Sequence, residues 1–148
     1  MRRPLSKSMV ITDSGFWLGV LDQSDRFHSR AVSAWRRHGG QGWITTWAVV
    51  TETCHLIGRR LGEGAKAEWL AAIGRREVEI FDLTYADCAR AASLVLKYRD
   101  LPMDFADASL VILAEHLGHG RILSSDRRDF EAFRFKNSRS FENLLFQS

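Results

Sequence analysis

The stretch Ile11-Thr12-Asp13-Ser14-Gly15-Phe16-Trp17, entered through Met9 and Val10, decides how the chain is read. Residues 9–12 are apolar or β-branched and predict a buried strand, with Ser14 and Gly15 punctuating its end. The strand stops on a lone carboxylate, Asp13. An ionised carboxylate costs several kcal/mol, in order of magnitude, to desolvate without a partner. Something must face it.

Further along, the same pattern returns. Arg121-Ile122-Leu123-Ser124-Ser125-Asp126 predicts another strand that runs out on an aspartate. Strands are also predicted at residues 42–46 and 78–83, and a short one near residues 134–136. Between them lie predicted helices at residues 16–22, 28–38, 47–62, 64–76, 84–100 and 104–118. Gly39-Gly40 and Gly118 stop two of these, and Thr84 with Asp87 three residues on reads as a capping pair. In the third, Trp47, Val50, Cys54, Ile57 and Leu61 recur at helical spacing and predict its buried face. Strands alternating with helices of this length predict crossover units, a parallel sheet and helices on both of its faces, an α/β fold. Ligands in such sheets sit beyond the carboxyl ends of the strands. If the two aspartate-ended strands are neighbours, Asp13 and Asp126 meet at that edge.

Global properties set the bounds. The 148 residues are expected to form a single domain, residues 1–148, with residues 1–8 a loose extension and Met9 an alternative natural start. A hydrophobic fraction of 45% and a charged fraction of 26% are those of a soluble globular protein. No apolar run approaches the ~20 residues of a membrane span, and Asp13 cuts short the only stretch that follows the basic start. Cys54 and Cys88 form no metal or redox motif and read as reduced thiols of a cytoplasmic protein. The net charge of +3 permits a nucleic-acid partner without demanding one. The tail, residues 142–148, resembles a protease recognition sequence and equally suits an apolar native terminus; it is assigned no function.

Three more acids bear on the edge. Asp104 and Asp107 stand three apart at a helix start and share a face. Capping accounts for Asp104, at the N-cap after Pro102. Asp107 lies within the first turn among alanines and aliphatics, where a helix this apolar is expected to be buried. Glu52, a turn or two past a strand end, can reach the same edge, although an exposed glutamate is the ordinary reading. Four gathered carboxylates repel one another: like charges ~4 Å apart cost about 4 kcal/mol at an effective dielectric of ~20. Mg²⁺ or Mn²⁺ is the natural remedy, since hard cations take oxygen ligands. The five histidines have no zinc-ligand spacing. Near Asp126, Arg121, Arg127 and Arg128 supply the positive charge that a phosphodiester backbone requires.

The blocks Val10 to Trp17, Thr45 to Thr53, Met103 to Gly118 and Ile122 to Phe130 together resemble the four blocks of a PIN domain. The similarity is greatest to the VapC-type toxin ribonucleases of bacterial toxin–antitoxin pairs. The resemblance implies a three-layer α/β/α sandwich with a central, mostly parallel sheet. It implies catalytic acids at Asp13, Glu52, Asp107 and Asp126, with Asp13, Asp107 and Asp126 holding the metal. Ser14 and Ser124 fall on the family's small hydroxyl positions, Ser124 replacing the usual threonine; Asp104 and Asp129 are accessory acids. It further implies a Mg²⁺- or Mn²⁺-dependent endoribonuclease, an RNA substrate, a cognate antitoxin and a homodimer; by their charge beside Asp126, Arg121, Arg127 and Arg128 are the residues expected to bind that RNA. A catalytically idle PIN-like scaffold that binds RNA or a protein is the alternative. A phosphatase-type site would want a second aspartate two residues after Asp13, and that position is Gly15.

Overall fold

The computed structural model describes residues 6–147. Its strands are β1 (Val10–Thr12), β2 (Trp43–Thr46), β3 (Glu79–Phe81), β4 (Arg121–Leu123), β5 (Arg134–Phe135), β6 (Arg139–Ser140) and β7 (Glu142–Asn143). Its helices are α1 (Ser14–Leu21), α2 (His28–His38), α3 (Trp47–Leu61), α4 (Glu63–Gly74), α5 (Tyr85–Lys97), α6 (Phe105–Leu117) and α7 (Arg127–Ala132). Five strands form one sheet in the order β3-β2-β1-β4-β7. Every pairing in it is parallel. β5 and β6 make a separate antiparallel ribbon.

Helices cover both faces, as the alternation of elements requires. Below the sheet, Ile11, Ile44 and Phe81 pack with α6, Phe130 and Phe133. Above it, Val10, Trp43 and Leu123 pack with Phe16, Trp17, Leu18, Trp69 and the apolar C-terminal residues Leu144 and Leu145. α6 is the central helix of the first layer. From Ala108 to Ala114 every one of its residues is buried, so the single apolar stripe expected of an amphipathic helix does not exist there. Gly118 ends it in the left-handed conformation at φ 81°, where a side chain would be strained.

Several sequence expectations need correction. In α3 the buried residues are Val49, Val50, Thr53 and Ile57, whereas Trp47 and Leu61 are 52% and 38% exposed. The stripe is rotated because α3 begins at the sheet edge: Val49 joins the core beneath the sheet and Val50 the core above it. Ser14 does not merely end β1; α1 starts on it, with Asp13 as N-cap. Strand β4 stops at Leu123, and Asp126 is the N-cap of α7, a helix absent from the sequence reading. The tail is structural: β7 extends the sheet, and Leu144 and Leu145 are buried. The expected loose extension falls partly outside the described residues; residues 7 and 8 form a turn, and the Ser8 carbonyl accepts from Arg121. Among the described residues, no helix is long and apolar enough to cross a membrane.

Candidate active site

β1 is flanked by β2 and β4; the chain passes from β1 to β2 on one side of the sheet and from β4 towards β7 on the other, so the two adjacent strands β1 and β4 send it in opposite directions. This is the topological switch point at which parallel sheets open a crevice. Asp13 stands at the carboxyl end of β1, and its amide donates to the Leu123 carbonyl of β4 at 3.0 Å. Beneath it lies a layer of buried hydroxyls. Thr45 Oγ1 donates to the Thr12 carbonyl at 2.7 Å, and Trp17 Nε1 donates to Thr12 Oγ1 at 3.1 Å. Thr46 and Ser109 are bonded at 2.7 Å across the sheet–α6 interface. Such satisfied polar contacts fix the strand ends without leaving buried groups unpaired.

Asp13 is 3% exposed and uses both oxygens. Its Oδ1 accepts from the Ser14 amide and its Oδ2 from the Ser124 hydroxyl, each at 2.8 Å. Ser124 Oγ also accepts from the Asp126 amide at 3.0 Å, so one hydroxyl ties two of the acids together. Asp107, half-buried in the first turn of α6, accepts from the Asp104 amide at 3.2 Å. Oxygen atoms of Asp13, Asp107 and Asp126 all lie within 4.8 Å of one another.

The electrostatics of this cluster are unfavourable on their own. Burial, followed by the charges of Asp126 and Glu52, pushes the Asp13 carboxyl up to about 7 against the hydrogen bonds from Ser124 and Ser14. Burial and then the neighbouring Asp13 push Asp107 up to about 7 as well. Asp126, on the surface side, is raised by desolvation and then by Asp129, Glu52 and Asp104. Three convergent carboxylates with no cation among them fit a hard divalent metal, which offsets both the desolvation and the repulsion.

The other expected site residues sort themselves around this centre. Glu52, on α3, is outside the convergent triad, but its carboxylate accepts from the Ser14 hydroxyl. Asp104 is the N-cap of α6, and the bond linking it to Asp107 runs from its own amide. Asp129 sits in the first turn of α7 and acts on Asp126 by charge. Arg127 and Arg128 open α7 beside Asp126 and line a cavity with it. Arg121 does not join them. It lies at the amino end of β4, about 10 Å of strand away from the acidic edge, and its guanidinium donates to Gln41 at 2.6 Å.

Two contributors were not read from the sequence. Gly15 carries no side chain because none fits: a Cβ there would lie 1.8 Å from Ser125 Oγ. Its absence lets α1 close on the β4–α7 loop. A lone glycine after a strand gives no hint of this partner. Asn143, in the tail, accepts from the Ser124 amide at 3.2 Å and donates to the Ser124 carbonyl at 2.9 Å. It therefore clamps the residue that holds Asp13. Asn143→Ala is expected to cost about 1–2 kcal/mol, read as a lower urea midpoint at unchanged slope. Unaltered stability would mean that the clamp is redundant.

Comparison with known proteins shows the family. The PIN domain family matches residues 10–136. Ribonuclease VapC26 of Mycobacterium tuberculosis is 30% identical over 125 residues, which span 84% of this chain and 92% of that protein. The chain is a PIN-domain protein of the VapC type. Its fold is shared with the crystal structure of Mycobacterium tuberculosis VapC20, a sarcin–ricin-loop-cleaving toxin. That structure superposes with a TM-score of 0.70 at 21% identity, over 81% of this chain and 93% of the other. The PIN sheet, flanked by helices, is thus the architecture expected of the α/β pattern. The acidic triad stands at the edge where that pattern places a ligand.

Proposed function

We propose that this VapC-type PIN protein is a Mg²⁺- or Mn²⁺-dependent endoribonuclease, one domain over residues 1–148, acting as the toxin of a type II toxin–antitoxin pair in the cytoplasm. The observation that carries the reading is the convergence of Asp13, Asp107 and Asp126 within 4.8 Å, two of them with carboxyls pushed up to about 7. These three would hold the metal. Bound there, Mg²⁺ or Mn²⁺ supplies activation of water and stabilisation of charge on a phosphoryl group. Glu52, steadied by the Ser14 hydroxyl, would take the proton of the attacking water. Ser124 and the Ser14 amide keep Asp13 oriented, and Asp104 and Asp129 add negative charge around the centre. Arg127 and Arg128 meet the phosphodiester backbone beside Asp126.

An uncontrolled ribonuclease harms its host, so the proposal includes a cognate antitoxin. An Arg or Lys of such a partner, seated on Asp13, Asp107 or Asp126, gains roughly 1.5–3 kcal/mol from a charged hydrogen bond and blocks the metal. The family likeness extends the proposal to a homodimer.

The direct test is cleavage of a mixed RNA by the purified chain with Mn²⁺, with EDTA, and with Asp126→Asn in place of the native residue. Cleavage with the metal alone, lost on chelation and in the variant, is the expected result. Cleavage that survives EDTA removes the metal from the reading, and RNA binding without any cleavage leaves an idle scaffold.

A further inference from the structure

Ser14, Glu52 and Asp126 line a cavity of 710 Å³ at the acidic centre, and a second cavity, of 400 Å³, shares Arg26, Phe27, Ser125 and Asp126 with it. Its size falls in the range of small-ligand sites, roughly 300–1,000 Å³. Three guanidiniums line it, those of Arg26, Arg127 and Arg128, with Asp129 the one further acid. Its apolar lining is Phe27 and Phe146.

The arginines are mounted rather than loose. Arg26 lies over the Phe27 ring at 4.7 Å and Arg127 over the Phe146 ring at 4.8 Å. The two rings meet edge to face at 5.5 Å. A cation on an aromatic face is held at a cost in freedom already met before any ligand arrives. The loop that presents Arg26 is equally constrained. Asp22 accepts from both the amide and the hydroxyl of Ser24, and Asp25 accepts from the Phe27 amide. Arg60, from the last turn of α3, ties Asp25 from outside at 2.8 Å. Arg60 is thereby committed to the loop, whereas Arg26 has no carboxylate partner among the described residues and faces the cavity.

We propose that this cavity is a nucleotide subsite: it takes one phosphate and one unstacked base of single-stranded RNA next to the scissile bond, with Arg26 and Arg127 gripping the phosphate from two sides. Planar guanidiniums suit phosphate oxygens, and unpaired RNA offers the base and backbone together. The continuity of the cavity with Asp126 sets its place along the strand. This rests on the ribonuclease reading for its biological meaning, but its test is one of binding.

The full chain carrying Asp13→Asn, which prevents turnover, is titrated by fluorescence anisotropy with a labelled single-stranded RNA hexamer of mixed sequence across a range of NaCl. The same hexamer annealed to its complement is the second probe. Arg26→Gln is expected to weaken hexamer binding about tenfold and to flatten the salt slope by about 0.7, the share of one phosphate contact on a single strand. Arg26→Lys should restore the slope. Arg36→Gln, on the exposed face of α2 and lining neither cavity, should alter neither quantity. Failure of the hexamer to bind, or an affinity and slope that ignore Arg26→Gln, overturns the subsite; duplex binding as tight as the single strand does so too. The ribonuclease reading fails separately, through wild-type protein that binds the hexamer in an Arg26-dependent way and cleaves no RNA with Mn²⁺.

Discussion

Asp13→Asn is expected to make the metal-free protein more stable at pH 8 while lowering RNA cleavage on the order of 10²–10³-fold or more. The two effects have one origin. The folded chain holds the Asp13 carboxyl near pKa 7, whereas the ordinary value is 3.8. Below pH ~4 the group is protonated in both folded and unfolded chains. Between ~4 and ~7 only the folded chain keeps the proton, so stability falls as pH rises through that window. At pH 8 the full penalty stands, about 4 kcal/mol as an upper figure for a shift of this size. Asparagine removes the charge and keeps the shape. Its carbonyl still accepts from the Ser14 amide, and its amide group can donate to the rotatable Ser124 hydroxyl. A gain of ~1–2 kcal/mol after relaxation would raise the melting temperature by several degrees. Saturating Mn²⁺ should reverse the order, because binding stabilises only the wild type to its full extent. Melting curves at pH 5 and pH 8, with EDTA and with Mn²⁺, make the measurement. A wild type whose melting temperature ignores both pH and metal, beside an unaltered variant, would mean that Asp13 carries no strained charge.

The second large effect separates neighbouring acids. Asp107→Asn should abolish cleavage and weaken Mn²⁺ binding tenfold or more. Asp104→Asn should leave cleavage within a few-fold and cost a few tenths of a kcal/mol, since Asn is as good an N-cap as Asp. The structure makes the comparison clean. The asparagine of the Asp107→Asn variant still has an oxygen for the Asp104 amide, so the start of α6 survives both changes. What distinguishes the two positions is the company they keep: Asp107 belongs to the convergent triad, whereas Asp104 acts on it through its charge and through its backbone amide, which the substitution keeps. Calorimetric Mn²⁺ titration alongside cleavage rates decides the matter. A dead Asp104 variant beside an active Asp107 variant would exchange their roles.

Local patterns carried much of this architecture. The alternation of short apolar strands with long helices was enough for a parallel sheet covered on both faces, because period and length are properties of neighbouring residues. The pair Thr84 and Asp87 was legible for the same reason, and both reciprocal bonds of its capping box form. Asp13 and Asp126 stood out because a charge at the end of an apolar run contradicts its surroundings. What escaped depends on distant partners. The rotation of the buried face of α3 follows from two cores meeting at the sheet edge. Helix α7 is six residues long and rich in charge, too short to show a period. Arg121 was grouped with Arg127 and Arg128 by proximity in the chain, yet one strand length sends it to the opposite edge. Gly15 and Asn143 owe their significance to Ser125 and Ser124, and Arg26 to Asp126 and Phe146 across the cavity they line, contacts that no spacing announces.

The clamp from Asn143 to Ser124 also bears on timing. Asp13 leaves the ribosome early and Asn143 late; 143 − 13 places them 130 residues apart. At about 5–20 residues per second, roughly 7–26 s of synthesis separate the first acid from the side chain that braces its support. A nascent chain that has not yet reached Asn143 also lacks the fifth strand and the buried Leu144 and Leu145. The brace on Asp13 is thus absent until Asn143 has been made, so the order of synthesis separates the first acid from the support that holds it.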